Sequence, residues 1–330
     1  MDMPNSLPEI HSAHHRLQLD TTGVETEIRR DYIHDYYVLI APKRANRPYD
    51  AALNDHPLIE TASSPRLDLQ AEVYTYPEDD GDGWAVKVVE NKFPALTLEN
   101  PNAYGKQEIV IDTPLANTAF GELPPEQIEK VLLTYQARSK ALRELPHIQY
   151  VSIFRNDGFE AGASLAHAHS QIFALPIIPP RMRQESVTIE ALAAENSRDP
   201  YDDIIKFEQR EKLRVIAEND SWISFAPYAA LWQMEAWVLP KRSMQDLSSV
   251  TPDEIKLLAP LLTQLTSRLN ENDINFNLSV EEGISHHQRL SLKIRGRNVV
   301  SPWGGLEVTT GMIINTIPPE SAAGWYRSAQ

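Results

Sequence analysis

Pro124-Pro125-Glu126-Gln127-Ile128 returns later in the chain as Thr251-Pro252-Asp253-Glu254-Ile255. Each stretch reads as the start of a helix, because proline at the first helical turn gives up no intrahelical hydrogen bond. Apolar residues then recur at helical spacing. Ile128, Val131, Leu132, Tyr135 and Leu142 follow the first start, and Leu258, Leu262, Leu265 and Leu269 follow the second. The first helix is predicted over residues 125–142.

The surroundings of the two helices also repeat. Ahead of the first lie Lys92-Phe93-Pro94 and Glu108-Ile109-Val110-Ile111-Asp112. Ahead of the second lie residues 222–227 and Glu235-Ala236-Trp237-Val238-Leu239-Pro240. After each helix comes a strand (residues 150–154 in the first half), and then a second strand bearing histidine: His167 in one half, His286-His287 in the other. Five features in one order indicate an internal duplication. The fold class expected is α+β: two tandem units, each an antiparallel sheet with helices packed on it. Residues 1–180 form the first domain and 181–330 the second. Strands are also expected at 36–40, 86–90 and 108–111, and a charged, partly helical connection over 181–218.

The chain of 330 residues suits two domains, and its 42% hydrophobic content can build a core in each. No apolar run approaches the roughly 20 residues of a membrane helix. The polar opening, residues 1–20, has no apolar signal-peptide core. A cytoplasmic location and no membrane partner are expected. With no cysteine, disulfides and thiolate zinc sites are excluded. A net charge of −15 argues against nucleic acid as a partner, since such binding rests on many phosphate contacts.

The chemistry concentrates in His167-Ala168-His169-Ser170-Gln171, behind a glycine-containing loop, Gly158 to Gly162-Ala163-Ser164. On one continuous strand, alternation would put His167, His169 and Gln171 on one face, about 7 Å apart at each step. Imidazole is largely neutral at pH 7 and is a competent nucleophile at phosphorus. A neighbouring carboxamide can donate to a phosphoryl oxygen as charge shifts. A bare His-x-His pair is weak evidence by itself, equally at home as metal ligands or core histidines. Gln171, the glycine loop, and the basic turn Pro42-Lys43-Arg44-Ala45-Asn46-Arg47-Pro48 add weight to the chemical reading.

Four stretches resemble the galactose-1-phosphate uridylyltransferase family of the histidine-triad superfamily, which includes ADP-glucose phosphorylases. They are Glu27-Ile28-Arg29-Arg30-Asp31 with the segment 40–48, Glu90-Asn91-Lys92-Phe93-Pro94-Ala95-Leu96, Phe154-Arg155-Asn156-Asp157-Gly158 through Gln171, and Gly304-Gly305-Leu306-Glu307 running on to Asn315. The resemblance implies a ping-pong nucleotidyltransferase acting on nucleoside diphosphate sugars. His169 would be the nucleophile. Gln171 and Ser164 would hold phosphoryl oxygens, with Asn156 supporting the loop. Arg44 and Arg47 would bind phosphate, for which the planar guanidinium is suited. Asn91 and Phe93 would line the nucleoside, and Glu307, expected in a strand, would accept from sugar hydroxyls. The partners implied are a nucleotide sugar, a sugar phosphate or inorganic phosphate, and a second copy of the chain in a homodimer. No cofactor is implied.

Departures from the family pattern sharpen this. Many members hold a structural zinc with a cysteine pair, a histidine and the first histidine of the triad. Here only His167 remains of that set, so no structural metal is expected. The second half reads His287-Gln288-Arg289, which puts Arg289 where a nucleophile would stand and makes that half catalytically silent. Lys92 stands where the best-known uridylyltransferases carry an acidic residue, which leaves adenine nucleotides open. Uridylyl transfer to a hexose 1-phosphate is the leading expectation. Adenylyl transfer to phosphate, as in an ADP-glucose phosphorylase, is the alternative. A nucleotide hydrolase or a lapsed nucleotide-sugar binding protein stand behind it; release of free nucleoside monophosphate would mark the hydrolase.

Overall fold

The computed structural model describes residues 27–33, 37–40, 71–76, 83–91, 94–115, 118–163, 167–297 and 304–328. In chain order the strands and helices are β1 (Glu27–Arg30), β2 (Tyr37–Ile40), β3 (Glu72–Tyr76), β4 (Val86–Glu90), β5 (Lys106–Ile111), α1 (Pro125–Arg143), β6 (Tyr150–Asp157), β7 (His169–Leu175), α2 (Pro180–Asn196), α3 (Pro200–Glu211), β8 (Val215–Glu218), β9 (Trp222–Phe225), β10 (Ala236–Pro240), α4 (Pro252–Asn270), β11 (Phe276–Glu281), β12 (Ser291–Gly296), α5 (Gly305–Thr310), β13 (Ile313–Asn315) and α6 (Pro319–Arg327).

Local chemistry explains the repeated helices. Thr251 caps α4: its hydroxyl accepts from the Glu254 N–H, and the Glu254 carboxylate accepts from the Thr251 N–H. Pro124 opens α1 in extended backbone, with Pro125 inside the first turn. The apolar stripes of both helices then pack on the same face of one sheet. Ile128, Val131, Leu132 and Tyr135 of α1 join Leu258, Leu262, Leu265 and Leu269 of α4, over Val86, Val110, Val151, Ile172, Leu278 and Leu292, in a single core. Burying each such side chain contributes about 1.5–3 kcal/mol.

That sheet has ten strands in the order β3-β4-β5-β7-β6-β11-β12-β10-β9-β8. Every neighbouring pair is antiparallel. The order β3-β4-β5-β7-β6 is met again, reversed, as β11-β12-β10-β9-β8, so the duplication expected from the sequence is a pseudo-two-fold about the β6–β11 seam. Along that seam Ile153 lies opposite Val280 and Asp157 opposite Phe276. The two units are therefore halves of one continuous sheet. A second, three-stranded sheet holds β1-β2-β13, with β13 parallel to β2.

The helices are offset by 127 residues, Pro125 to Pro252. Carrying Ile153 forward by 127 gives Val280. Ile153 pairs with Ile172 and Val280 with Leu292. On this mapping His169 falls on Arg289 and Gln171 on Ser291. The halves differ in what covers their outer face, the one away from α1 and α4. In the second half, Ile189 of α2 and Tyr201, Ile204 and Ile205 of α3 bury Ile223, Phe225, Trp237 and Leu239. In the first, the corresponding cluster is Val89, Ile109 and Ile111 with Trp84, and among the described residues it holds none from a helix.

Several expected elements shift. The charged connection forms α2 and α3. The counterpart of β9 is β4, by strand order, not Lys92-Phe93-Pro94. His167 stands before the strand: β7 begins at His169, because the Ala168 carbonyl takes the Asp112 N–H and ends the loop there. His286 and His287 also precede their strand, which begins at Ser291. The preceding residues form a turn in which the Gln288 side chain accepts from the Ile284 N–H and the Gly283 N–H donates to Gln245.

Candidate active site

In β7, alternation sends Ser170, Ile172 and Ala174 into the helix-covered core and His169, Gln171 and Phe173 to the outer face. His169 is 5% exposed. Its Nδ1 lies 2.8 Å from the carbonyl oxygen of His167. A carbonyl can only accept, so Nδ1 carries the proton and Nε2 carries the lone pair. Burial lowers the imidazole pKa; the bond to the His167 carbonyl works against it, the nearby Arg155 cation adds to it, and the net shift is downward. The ring is therefore held neutral, in the tautomer a nucleophile at Nε2 needs.

Directly beneath lies a buried ionic group on the core side. The Arg155 guanidinium meets Asp112 at 2.6 Å and Asp157 at 3.3 Å, and sits 4.0 Å from the centre of the Phe120 ring. Ser170 hydrogen-bonds the Tyr135 hydroxyl and accepts from Arg155 at 3.3 Å. Asp112 also closes the turn in front of His169 through its own N–H. This group fixes the strand end that presents His169.

Gln171 sits two residues on, on the same face. Its Oε1 accepts from Nε2 of Gln107 at 2.9 Å. Oε1 of Gln107 accepts in turn from the Ala95 N–H at 2.9 Å. Asn156 is on the outer face of β6. Its Oδ1 accepts from Asn277 of β11 at 2.8 Å, and its Nδ2 donates to the Gly162 carbonyl at 3.3 Å. Asn277 also donates to the Ala161 carbonyl at 2.8 Å. The loop so held turns at Gly158 (φ 85°) and Gly162 (φ 91°), left-handed conformations that disfavour a side chain. At Gly158 a Cβ would come within 1.8 Å of the Asn275 side chain.

Asn91 lines a cleft of about 150 Å³ with Glu90, Pro94, Leu96, Lys106 and Gln107. Gln107 thus touches both this cleft and Gln171. Glu307 stands elsewhere, and in a helix, not the expected strand. It is buried in α5, where one carboxylate oxygen accepts from the Gly304 N–H at 2.9 Å and the other from the Ile314 N–H at 3.3 Å. The bond to Gly304 supplies the N3 half of a capping box, and it meets the N-cap N–H where Gly304 and Gly305 open a helix. Arg44, Arg47, Phe93 and Ser164 lie outside the described residues. The structure thus brings together His169, Gln171 and Asn156, and joins Asn91 to them through Gln107.

Gln107 and Asn277 were not anticipated. Gln107 precedes the stretch read as strand, and Asn277 belongs to the half expected to be silent. The one available signal for Gln107 was its period-two relation to Ile109 and Ile111 on the outer face.

The family's zinc does not fit the residues present. Among the described residues, no group of three or more histidine, cysteine, aspartate or glutamate side chains could hold a metal. Nε2 of His167, the surviving ligand position, is 2.7 Å from the Thr113 carbonyl, so that nitrogen is protonated and turned to an acceptor.

Comparison with known proteins now defines the class. Residues 85–179 match the N-terminal domain and 185–290 the C-terminal domain of galactose-1-phosphate uridyl transferase. The chain belongs to this family of nucleotidyltransferases. Among its relatives, an ADP-glucose phosphorylase of Arabidopsis thaliana is 28% identical over 90% of this chain and 91% of its own length. A galactose-1-phosphate uridylyltransferase of Thermotoga maritima is 25% identical over 92% and 98%. The crystal structure of an Arabidopsis thaliana ADP-glucose phosphorylase with bound ADP-glucose superposes with a TM-score of 0.80 at 25% identity, covering 93% of this chain and all of that one.

Proposed function

We propose that this protein transfers a nucleoside monophosphate from a nucleoside diphosphate sugar to a second phosphate-bearing acceptor, through a covalent bond to Nε2 of His169. The observation that carries this is the His169 tautomer: with Nδ1–H committed to the His167 carbonyl, the neutral ring has its lone pair on Nε2. Nε2 attacks the α-phosphorus, the bond from that phosphorus to the bridging oxygen breaks, and sugar 1-phosphate leaves with the electron pair. The modified ring is cationic, and its Nδ1–H stays on the His167 carbonyl, which favours that charge. An oxygen of the acceptor then attacks the same phosphorus and displaces Nε2.

In this scheme Gln171 and Ser164 donate to the phosphoryl oxygens, and Asn156 holds the loop that carries Ser164. Arg44 and Arg47 meet the phosphates, and Asn91 and Phe93 line the nucleoside. Glu307 bonds the sugar through the lone pairs left after its bonds to the Gly304 and Ile314 amides. Residues 1–180 form the catalytic half, and 181–330 a degenerate histidine-triad-like half. Arg289 supports that division: on the mapping above it takes the place of His169, and it is bound to Asp199 at 2.7 Å and also to Asp202. In this reading the protein works as a homodimer in the cytoplasm. Separately, no helix among the described residues is long and apolar enough to cross a membrane.

Uridylyl transfer to a hexose 1-phosphate is the leading reaction. Adenylyl transfer to inorganic phosphate is the second reading, favoured by Lys92 beside Asn91 and by the likeness to the phosphorylase structure. The test uses α-phosphate-labelled UDP-glucose and ADP-glucose in parallel. The expected result is acid-labile, base-stable label on the protein from one of them, lost in His169→Ala. Equal labelling of the parent and His169→Ala would sink the scheme. The productive donor, and the acceptor that discharges the label, choose between the two reactions.

A further inference from the structure

The Gln107–Gln171 contact has a defined polarity, and its source lies outside both side chains. A glutamine carboxamide can be turned by 180° with little change of shape, which exchanges its donor and acceptor ends. The Ala95 N–H admits no such choice, since a backbone N–H only donates. It lies 2.9 Å from the Gln107 carboxamide and must meet Oε1. The NH₂ group of Gln107 then faces Gln171 at 2.9 Å, and Gln171 must answer with its own Oε1. The order Ala95 N–H, Gln107, Gln171 leaves Nε2 of Gln171 with no acceptor among the described residues.

The backbone makes this relay possible. Gln107 lies opposite Phe173 in the β5–β7 register, so Gln171 is its diagonal neighbour on the outer face, within reach of a long side chain. Gln107 is 7% exposed, so water does not compete freely for its amide. The segment supplying Ala95 also supplies Leu96 and Thr97 to the cleft that Asn91 lines.

We infer that Gln107 is a positioning residue for nucleotidyl transfer: it holds the Gln171 carboxamide so that N–H, and not the carbonyl oxygen, meets the transferring phosphoryl group. This rests on the reading of Gln171 as a phosphoryl donor. A carbonyl turned toward the anionic phosphoryl oxygens would oppose the reaction. Without Gln107 the Gln171 amide samples both orientations. The same contact couples that orientation to the 94–97 segment, so donor binding beside Asn91 and the donor at phosphorus are set together.

The test is a double-mutant cycle read in a single turnover at saturating labelled donor, UDP-glucose or ADP-glucose, with KM measured separately. Gln171→Met should slow formation of the labelled enzyme by about 100-fold. Gln107→Met should slow it by about 10-fold, an effect on the maximal rate beyond any change in KM. In the Gln171→Met background, Gln107→Met should cost less than about two-fold more, because no amide is left to orient. Gln107→Glu keeps the length and the acceptor for Ala95 N–H but cannot donate to Gln171. It should remain folded and be at least as slow as Gln107→Met, which carries the test if the methionine variant does not fold. Independent, multiplying losses in the double variant, or full-rate Gln107→Met or Gln107→Glu, overturn the inference while leaving Gln171 in its role. An unchanged rate in Gln171→Met overturns the reading of Gln171 itself.

Discussion

Nδ1 of His169 donates to the carbonyl oxygen of His167, two residues back in the chain, at 2.8 Å. One backbone group therefore selects the tautomer of the ring. In the proposed scheme Nδ1 keeps its proton when Nε2 becomes bonded to phosphorus, so the same bond would serve the free and the modified ring. The chemistry expected from the histidine run thus depends on where the loop ends and β7 begins.

The pH dependence of the first half-reaction follows. Burial is the largest influence on His169 and lowers its pKa, with Arg155 adding to it. The His169 ring is therefore mainly neutral at pH 7. The single-turnover rate should hold from about pH 8 to about pH 7 and fall with a midpoint below the ordinary histidine value near 6.5. Because the unfolded chain would take up this proton first, acidification below about 6.5 also removes stability associated with the neutral buried ring. A rate already halved at pH 7 would contradict this assignment; NMR titration of the His169 ring gives the direct check.

Asp112 and Arg155 form the buried pair beneath His169, 2.6 Å apart and almost wholly shielded from water. Removing one partner leaves the other charge buried alone. Asp112→Asn and Arg155→Met should each lower stability by about 3–5 kcal/mol, measured by urea unfolding. Exchanging both for well-packed apolar residues should cost less than either single change. Equal losses in the single and double variants would mean that the pair acts through packing alone.

Asn277 extends the support of the 158–163 loop across the seam between the halves, through Asn156 and the Ala161 carbonyl. Asn277→Ala should cost about 1–3 kcal/mol of stability, as buried partners are left unmet, and slow label transfer to His169. Gly158→Ala should do the same for a different reason, since its backbone is left-handed and the Asn275 side chain fills the space of a Cβ. A fully active Asn277→Ala protein would show that β11 plays no part in holding the loop.

Chelation should not affect the protein. With no cysteine and His167 turned to the Thr113 carbonyl, prolonged treatment with EDTA should leave both activity and the melting temperature unchanged. Elemental analysis should find far less than one zinc per chain; one tightly held zinc would overturn the expectation.

The helix starts were legible because their signals are local. Pro125 and Thr251 act within a turn, and each apolar stripe repeats along its own helix. The strand ends were less so. His167 and His169 look alike as an alternating pair, yet only His169 is in β7, because the loop before it closes on Asp112, far back in the sequence. Glu307 was read as a strand residue facing sugar. Its carboxylate accepts from the Gly304 N–H and caps a helix start instead, in a stretch whose Val308, Thr309 and Thr310 favour strand.

From the sequence alone came the duplication, the candidate nucleophile His169 and the arginine, Arg289, at the matching place in the second half. All are carried by residue type and by periods of a few residues. The tertiary structure decided how the copies join, through β6 and β11, and what covers the outer face of the second, where α2 and α3 pack. It also decided which nitrogen of His169 is bare and which end of the Gln171 amide is offered. Those outcomes depend on partners distant in sequence, and a hydrogen bond's direction is settled by the partner that cannot turn: the His167 carbonyl for one, the Ala95 N–H for the other.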